Sequence, residues 1–248
     1  MTLPLHQPCL SSLYRYVLNI KGLKHRTIWT DMCDIEPMCK RIGAKPTRVE
    51  MDGVTPKFTV PVLYDPSTQT VLSESFVIVD YLDKAYPDTR PIFRPDTRGL
   101  CEAFRQGVDD NVIFKAYPLI LSLTYRFVDE RSLEDYKRTR IVLVSTLLKA
   151  TVPTSVEEID GMWKIVEAGL KLIAGWYDAG SNSGSNTDSV FMDGGEEFGA
   201  PDIIMASRLI ALKTILGENS ERWARIRDID GGRWGRLLSK FEKYNTII

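Results

Sequence analysis

The apolar residues change period twice between Phe58 and Tyr86. Phe58, Val60, Val62 and Tyr64 alternate with Thr59, Pro61 and Leu63, the period of a strand with apolar groups on both faces, as inside a sheet. Asp65 to Gln69 is rich in turn formers, and Thr70, Val71 and Leu72 read as an antiparallel return. Ser73, Glu74 and Ser75 then open a segment in which Ile78, Leu82 and Ala85 share one side at helical spacing. Val79 and Tyr86 lie beside them, with Asp80, Asp83 and Lys84 opposite. The pattern predicts strand, hairpin, strand and capped helix.

Pro61 stands out within it. Proline lacks the N–H that a central strand donates and is normally confined to edges or bulges. A cis bond before Pro61 is therefore predicted, turning the Val60 backbone outward so that its N–H and C=O pair with the main chain of a ligand. Glu74 and Ser75 sit where a helix N-terminus offers free N–H groups and a positive dipole end to an anion. A peptide-like ligand bearing a carboxylate suits both.

Upstream, Met1 to Leu5 can supply a short strand. Leu13, Tyr16, Val17 and Ile20 share a helical face that stops at Gly22. His25 to Met32 reads as a second strand, and Ile35 to Ile42 as a short helix closing at Gly43. The order β-α-β-α-β-β-α is that of a thioredoxin-like domain, in which residues 6 to 14 and Val60 share one pocket.

Val60-Pro61, followed by Glu74-Ser75 opening an amphipathic helix, resembles the glutathione site of the cytosolic glutathione transferase family. The resemblance implies that Val60 and Pro61 present their backbone to the cysteinyl moiety of glutathione, while Glu74 and Ser75 hold its γ-glutamyl group. It also implies glutathione as co-substrate, a hydrophobic or aromatic second substrate, and a homodimer. Tyr16 to Leu23, with Asp34-Ile35-Glu36-Pro37 and Tyr64 to Thr68, is similar to a fungal group of these enzymes related to bacterial etherases. Glu134 to Arg140 and Gly231-Gly232-Arg233-Trp234 extend the likeness over nearly the whole chain.

Members of that group usually carry a Trp-Ser-Pro-Asn type loop whose Ser stabilises the glutathione thiolate. Counted back from Arg15, that Ser falls near Gln7 or Pro8, and the chain has no Ser-Pro. Three candidates remain: Ser11 as thiolate donor, Ser12 as donor or simple helix cap, and Cys9 as a nucleophile forming a mixed disulfide with glutathione. A hydroxyl suffices in principle. One pKa unit of thiol depression requires about 1.4 kcal/mol, within reach of one charge-assisted hydrogen bond.

Tyr86 to Pro95 holds Pro87, Pro91 and Pro95 among polar residues, a composition that separates domains. The expected division is a thioredoxin-like α/β domain over residues 1–86, a linker at 87–95 and an all-α bundle over 96–248. In the bundle, Leu100, Phe104, Val108 and Val112 step along one face, and Ser132 to Lys149 and Ser155 to Asp178 are long helical segments. Gly180 to Gly195 reads as a surface loop. Phe198 to Ile203 reads as a helix start, with Gly199 as cap, Asp202 reaching back to it and Phe198 as an apolar staple. Phe114, Tyr117, Tyr125 and Phe127 are either core or, by the resemblance, a wall for the second substrate. Arg138 and Arg140 read as a solvated face.

Composition narrows the partners. The 248 residues are 44% hydrophobic and 26% charged with net charge −1, which offers no basic excess for nucleic acid or anionic membrane. The opening MTLPLHQPCLSS lacks the pattern of a targeting segment, so a cytoplasmic protein is expected. Cys9, Cys33, Cys39 and Cys101 include no Cys-x-x-Cys, and with only His6 and His25 to join them no metal site is expected. The reading is a detoxifying glutathione transferase. Its alternatives are a weakly catalytic binder of polyphenols, a Cys9-dependent thiol transferase, and a non-enzymatic scaffold module.

Overall fold

The first described helix, α1 (Ser12–Ile20), buries Leu13, Tyr16, Val17 and Leu18. It ends where Gly22 adopts φ 66°, a left-handed conformation that spares a Cβ, and the Gly22 and Leu23 N–H groups close onto the Asn19 and Leu18 carbonyls. The computed structural model describes residues 12–50, 52–181 and 190–246. The strand expected at Met1 to Leu5 lies outside the described residues.

Residues 23–31 form no helix or strand, with Lys24, Arg26 and Ile28 exposed and Leu23, His25 and Thr27 half-buried. The alternation read from the sequence is present, but the strand expected over His25 to Met32 is not formed among the described residues. A strand requires a hydrogen-bonded neighbour, and this segment has no ladder partner there. Met32 instead starts α2 (Met32–Ile42), which closes at Gly43 with φ 79°. A hairpin the sequence pattern did not reveal follows: β1 (Arg48–Val49) pairs antiparallel with β2 (Pro56–Lys57).

The expected strand, hairpin, strand and helix are β3 (Val62–Asp65), β4 (Thr70–Ser73) and α3 (Ser75–Ala85). Val62 pairs with Ser73 and Asp65 with Thr70. The ladder begins at Val62 instead of Phe58, so Pro61, which follows a cis bond from Val60, stands just outside it and its missing N–H costs no ladder bond.

The second half is helical. α4 (Arg98–Val108) runs through a π turn at Asp109–Ile113 into α5 (Phe114–Thr124) and a 3-10 turn at Tyr125–Phe127. Then come α6 (Glu130–Val142) with a π turn at Leu143–Leu147, α7 (Val156–Ser181), α8 (Ala200–Leu216) and α9 (Glu221–Ser239). Leu100, expected on the inner face of α4, is 71% exposed. Cys101 takes that face with Phe104, Val108 and Val112, a spacing equally helical. The π turn carries buried Asp109, which accepts from Arg208 Nε at 2.7 Å and Arg105 Nη1 at 2.7 Å.

α8 forms the axis of the molecule, with Ile203, Ile204, Met205, Leu209 and Leu212 buried around it, and α1 of the first half packs on it. Its start is the predicted one. The Gly199 N–H donates to Asp202 Oδ2 at 2.8 Å, and the Met192 N–H donates to Oδ1 at 3.0 Å. Burial raises the Asp202 carboxyl to about 6 against the lowering effect of these two amides and of Tyr177. No helix among the described residues is long and apolar enough to cross a membrane.

One buried charge ties α1 and α3 to the segment that leads into the bundle. The Lys21 ammonium, at the end of α1, donates to Asp83 Oδ1 at 2.8 Å and to the Arg90 carbonyl at 3.0 Å. Asp83 on α3 also accepts from the Ile92 and Phe93 N–H groups, at 3.0 and 2.9 Å. Removing one partner of such a pair strands the other in the interior, at a cost of roughly 3–5 kcal/mol. Lys21→Met is therefore expected to lower the unfolding free energy by about that amount, and Asp83→Ala to do so and also to make the chain near Ile92 more sensitive to protease. Urea denaturation with limited proteolysis measures both; a change for Lys21→Met within error would show that the pair carries no load.

Candidate functional site

The hairpin register builds one end of the molecule. Because Val62 faces Ser73, stepping back to Val60 and forward to Ser75 moves in the same direction along the sheet. The Val60 backbone and the Glu74–Ser75 corner thus emerge side by side. Val60 is 41% exposed ahead of buried Pro61. Glu74 is exposed and holds φ 74°, a left-handed conformation unusual for a residue with a side chain. Such angles cluster where a site demands them. Its side chain makes no cap hydrogen bond, and its carbonyl takes the Ile78 N–H at 3.0 Å. The first-turn amides of Ser75, Phe76 and Val77 therefore have no intrahelical acceptor and point toward any anion held at this corner.

Among the described residues a groove of about 990 Å³ lies between residues 23–31 and β3; Val60 and Pro61 line it, but neither Glu74 nor Ser75 does. Tyr14 and Leu18 also line it, and the bundle adds Arg126, Phe127 and Val128. Tyr14 brings a hydroxyl to the same groove as Val60, and the sequence reading did not weigh it as a thiolate donor. Its place on an ordinary helical pattern gave no signal of its own. Of the hydroxyls and thiol considered for the thiolate, Ser12 is buried at the first position of α1, whereas Cys9 and Ser11 lie outside the described residues. Of residues 6 to 14, expected to share a pocket with Val60, Tyr14 lines the groove, Ser12 and Leu13 do not, and residues 6 to 11 lie outside the described residues.

The four aromatics separate. Phe127 lines the groove. Tyr117 is buried in a second apolar cluster with Leu121, Tyr136 and Val144, and Tyr125 meets Tyr136 edge-on at 6.1 Å. Phe114 is 41% exposed. Arg138 is exposed and pairs with Asp135, the solvated arrangement expected, while Arg140 stacks over Tyr136 at 5.0 Å. No His, Cys, Asp or Glu cluster among the described residues is arranged to hold a metal ion.

Two side-chain systems fix the elements around the groove. Arg131 of α6 reaches across to Asp31 and Asp34, and the Cys33 N–H donates to Ser132 Oγ at 3.2 Å, so α2 is tied to the bundle. Inside the first half, buried Asp65 at the end of β3 accepts from the Ser67 N–H at 2.9 Å, Ser67 Oγ at 2.7 Å, and the hydroxyls of Tyr81 and Tyr86. Burial pushes the Asp65 carboxyl up, but the bonds from Tyr86, Ser67 and Tyr81 outweigh it and hold the group at about 2. Tyr81 lies on α3 and Tyr86 directly follows it, so Asp65 locks the hairpin onto the helix that carries Ser75.

Comparison with known proteins gives a consistent result. Residues 14–85 match the family model described as glutathione S-transferase, N-terminal domain, and residues 99–244 the model described as glutathione S-transferase, C-terminal domain. A crystal structure of a glutathione S-transferase of Ceriporiopsis subvermispora in complex with glutathione shares 33% identity, with a TM-score of 0.83 over 95% of this chain and 90% of that one. A glutathione transferase of Phanerochaete chrysosporium shares 32% identity over the same fractions, again with a TM-score of 0.83. A second Ceriporiopsis enzyme crystallised with glutathione shares 31%, with a TM-score of 0.83 over 93% of this chain and 90% of that one. No curated protein matched.

A carboxylate whose pKa is depressed on folding contributes stability that is complete above its unfolded value near 4 and is lost as pH falls toward 2. Asp65→Asn is expected to reduce stability at neutral pH by about 1–3 kcal/mol and to flatten the pH dependence of unfolding between those limits. Chemical denaturation at stepped pH tests this, and an unchanged slope would assign acid sensitivity elsewhere.

Proposed function

Because the chain belongs to the glutathione S-transferase family, we propose that it binds glutathione at the end where Val60 and the Glu74–Ser75 corner meet, and transfers it to hydrophobic or aromatic electrophiles in a detoxifying role. The observation that carries this reading is the hairpin register, which brings an exposed backbone edge beside an acid and a hydroxyl at a helix N-terminus. In the proposed arrangement the Val60 N–H and C=O pair with the cysteinyl unit. Glu74 accepts from the γ-glutamyl ammonium, and Ser75 with the first-turn amides donates to its carboxylate. The glutathione-bound relatives from Ceriporiopsis support the ligand.

The protein's chemical task is to raise the thiolate fraction and to hold it against the acceptor atom. Ser11 is the proposed donor, with Ser12 and Cys9 as its competitors. Phe127 on the groove supports an apolar or aromatic second substrate through stacking. The division into a glutathione-binding domain over 1–86, a linker at 87–95 and a helical domain over 96–248 belongs to the same reading, as do a homodimer and a cytoplasmic location. The unbridged Cys33, Cys39 and Cys101 suit that compartment. The missing Ser-Pro favours a second reading, in which the pocket sequesters polyphenols with little turnover.

Binding and activity measurements separate these readings. Glu74→Ala and Ser75→Ala are each expected to weaken glutathione binding by roughly ten- to a hundredfold, the worth of a charge-assisted hydrogen bond, as read by calorimetry or thermal shift. Wild-type protein that gains no thermal stability from millimolar glutathione would remove the basis of the assignment. For the donor, Ser11→Ala is expected to lower conjugation to an aryl halide while leaving glutathione affinity intact. If Cys9→Ser instead abolishes reduction of a glutathione mixed disulfide, the enzyme is a thiol transferase. Tight dye binding without conjugation in the wild type points to the sequestering protein.

A further inference from the structure

The acids and bases around the groove differ in how they are paired. Asp31, Asp65 and Asp129 line it, and each is engaged within the protein. Asp31 and Asp129 both pair with Arg131, and buried Asp65 accepts from the hydroxyls of Ser67, Tyr81 and Tyr86. Lys24, Arg26 and Arg126 line the same groove, and among the described residues none of them meets a carboxylate. A groove whose acids are satisfied and whose bases are not favours an anionic occupant.

Arg126 is the best placed of the three. Lys24 and Arg26 stand exposed on a segment with no ladder partner among the described residues, whereas the Arg126 guanidinium, itself exposed, is oriented from behind. Its Nη2 donates to the Thr214 and Ile215 carbonyls at the end of α8, at 3.0 and 2.7 Å, and its Cζ lies 4.7 Å from the centre of the Phe127 ring. Two neutral carbonyls aim the charge without cancelling it. Nε and Nη1 meet no acceptor among the described residues, which leaves their N–H groups for an oxyanion. The wall beside the guanidinium is apolar: Ile28, Trp29, Met38, Phe127 and Val128 line the groove, whose 990 Å³ admits a ring system.

We propose that this groove selects aromatic molecules that carry a carboxylate or sulfonate, with Arg126 taking the anionic group while the ring lies along Phe127 and its apolar neighbours. Arg126 is then a specificity-determining residue: an uncharged ring finds only the apolar wall, and an acidic one finds the wall and an aimed cation. That the bound acid is the electrophile itself rests on the transferase reading. The preference for an anion rests on the groove alone.

The test uses the full-length protein and two dyes that differ by one group: anilinonaphthalenesulfonate, and phenylnaphthylamine, the same fluorophore without the sulfonate. In wild type, affinity for the sulfonate is expected to fall as salt is raised while affinity for the neutral dye does not. Arg126→Gln is expected to weaken the sulfonate about five- to tenfold, the worth of one charge-assisted hydrogen bond at an exposed site, to flatten its salt dependence and to change the neutral dye by less than about twofold. Arg126→Lys, which keeps the charge and loses the planar fork, is expected to recover part of the loss. With glutathione and aryl halides, Arg126→Gln is expected to raise KM for chlorodinitrobenzoate over that for chlorodinitrobenzene by a similar factor, with kcat little changed. Equal losses for both dyes would overturn the inference by making Arg126 a prop of the groove wall. A fall in glutathione affinity in Arg126→Gln would overturn it by assigning the guanidinium to the co-substrate, and sulfonate binding indifferent to both salt and Arg126→Gln would leave no anion site. Sulfonate binding that depends on salt and on Arg126, in a protein that gains no stability from glutathione, upholds the anion site and removes the transferase reading alone.

Discussion

The buried ammonium of Lys21 fixes the segment that leads from the first half of this transferase into its bundle. A lysine with no exposed side chain must find its acceptors inside the protein, and it finds them on Asp83 and on the Arg90 carbonyl. Asp83 in turn takes the Ile92 and Phe93 amides, so α1, α3 and the proline-rich segment after Tyr86 converge on one ion pair. From that point Arg90 reaches the Phe198 carbonyl at 2.9 Å and lays its guanidinium over the Phe198 ring at 3.9 Å. Arg94 pairs with Asp193 and Arg98 with Asp80. Charge holds this proline-rich segment in place.

Much of the central stretch was legible because its signals are local. Turn formers between two apolar runs, a change of period from two to near four, and Glu74-Ser75 at the change all survive as β3, β4 and α3. The cis bond before Pro61 follows the same logic, since a proline in that position has few conformations left. What escaped was non-local. Residues 23–31 keep their alternation, yet whether they count as a strand depends on a neighbouring chain segment and not on their own pattern. The β1–β2 hairpin has two paired positions in each arm, too few to leave a period. Leu100 and Cys101 illustrate a further limit: both fit a helical face, and only packing against the bundle decides which one turns inward.

The candidate site divides along the same line. Val60, Glu74 and Ser75 were readable as residues, but their meeting at one end rests on the pairing of Val62 with Ser73, and slippage by a single residue would turn alternate side chains to the wrong face. Asp65 was read only as a turn former. Its burial, its hydroxyl partners and its low pKa appear once Tyr81 and Tyr86 are folded over the hairpin. Tyr14 likewise gave no sequence signal, because a tyrosine on an amphipathic helix looks the same whether or not it faces a groove.

The placement of α1 links these observations. It packs on α3 within the first half and on α8 at the axis of the bundle, so it belongs to both cores. Its first residue, Ser12, adjoins the segment that carries the candidate thiolate donors, while its last turn is tethered by Lys21 and by Asn19. A helix fixed at its far end by a buried charge and along its length by α8 cannot tilt without disturbing the apolar contacts of Tyr16, Val17 and Leu13. The chemistry proposed for the first half therefore depends for its geometry on the second, and substitutions along α8 should act on it through α1 even though no residue of α8 lines the groove beside Val60.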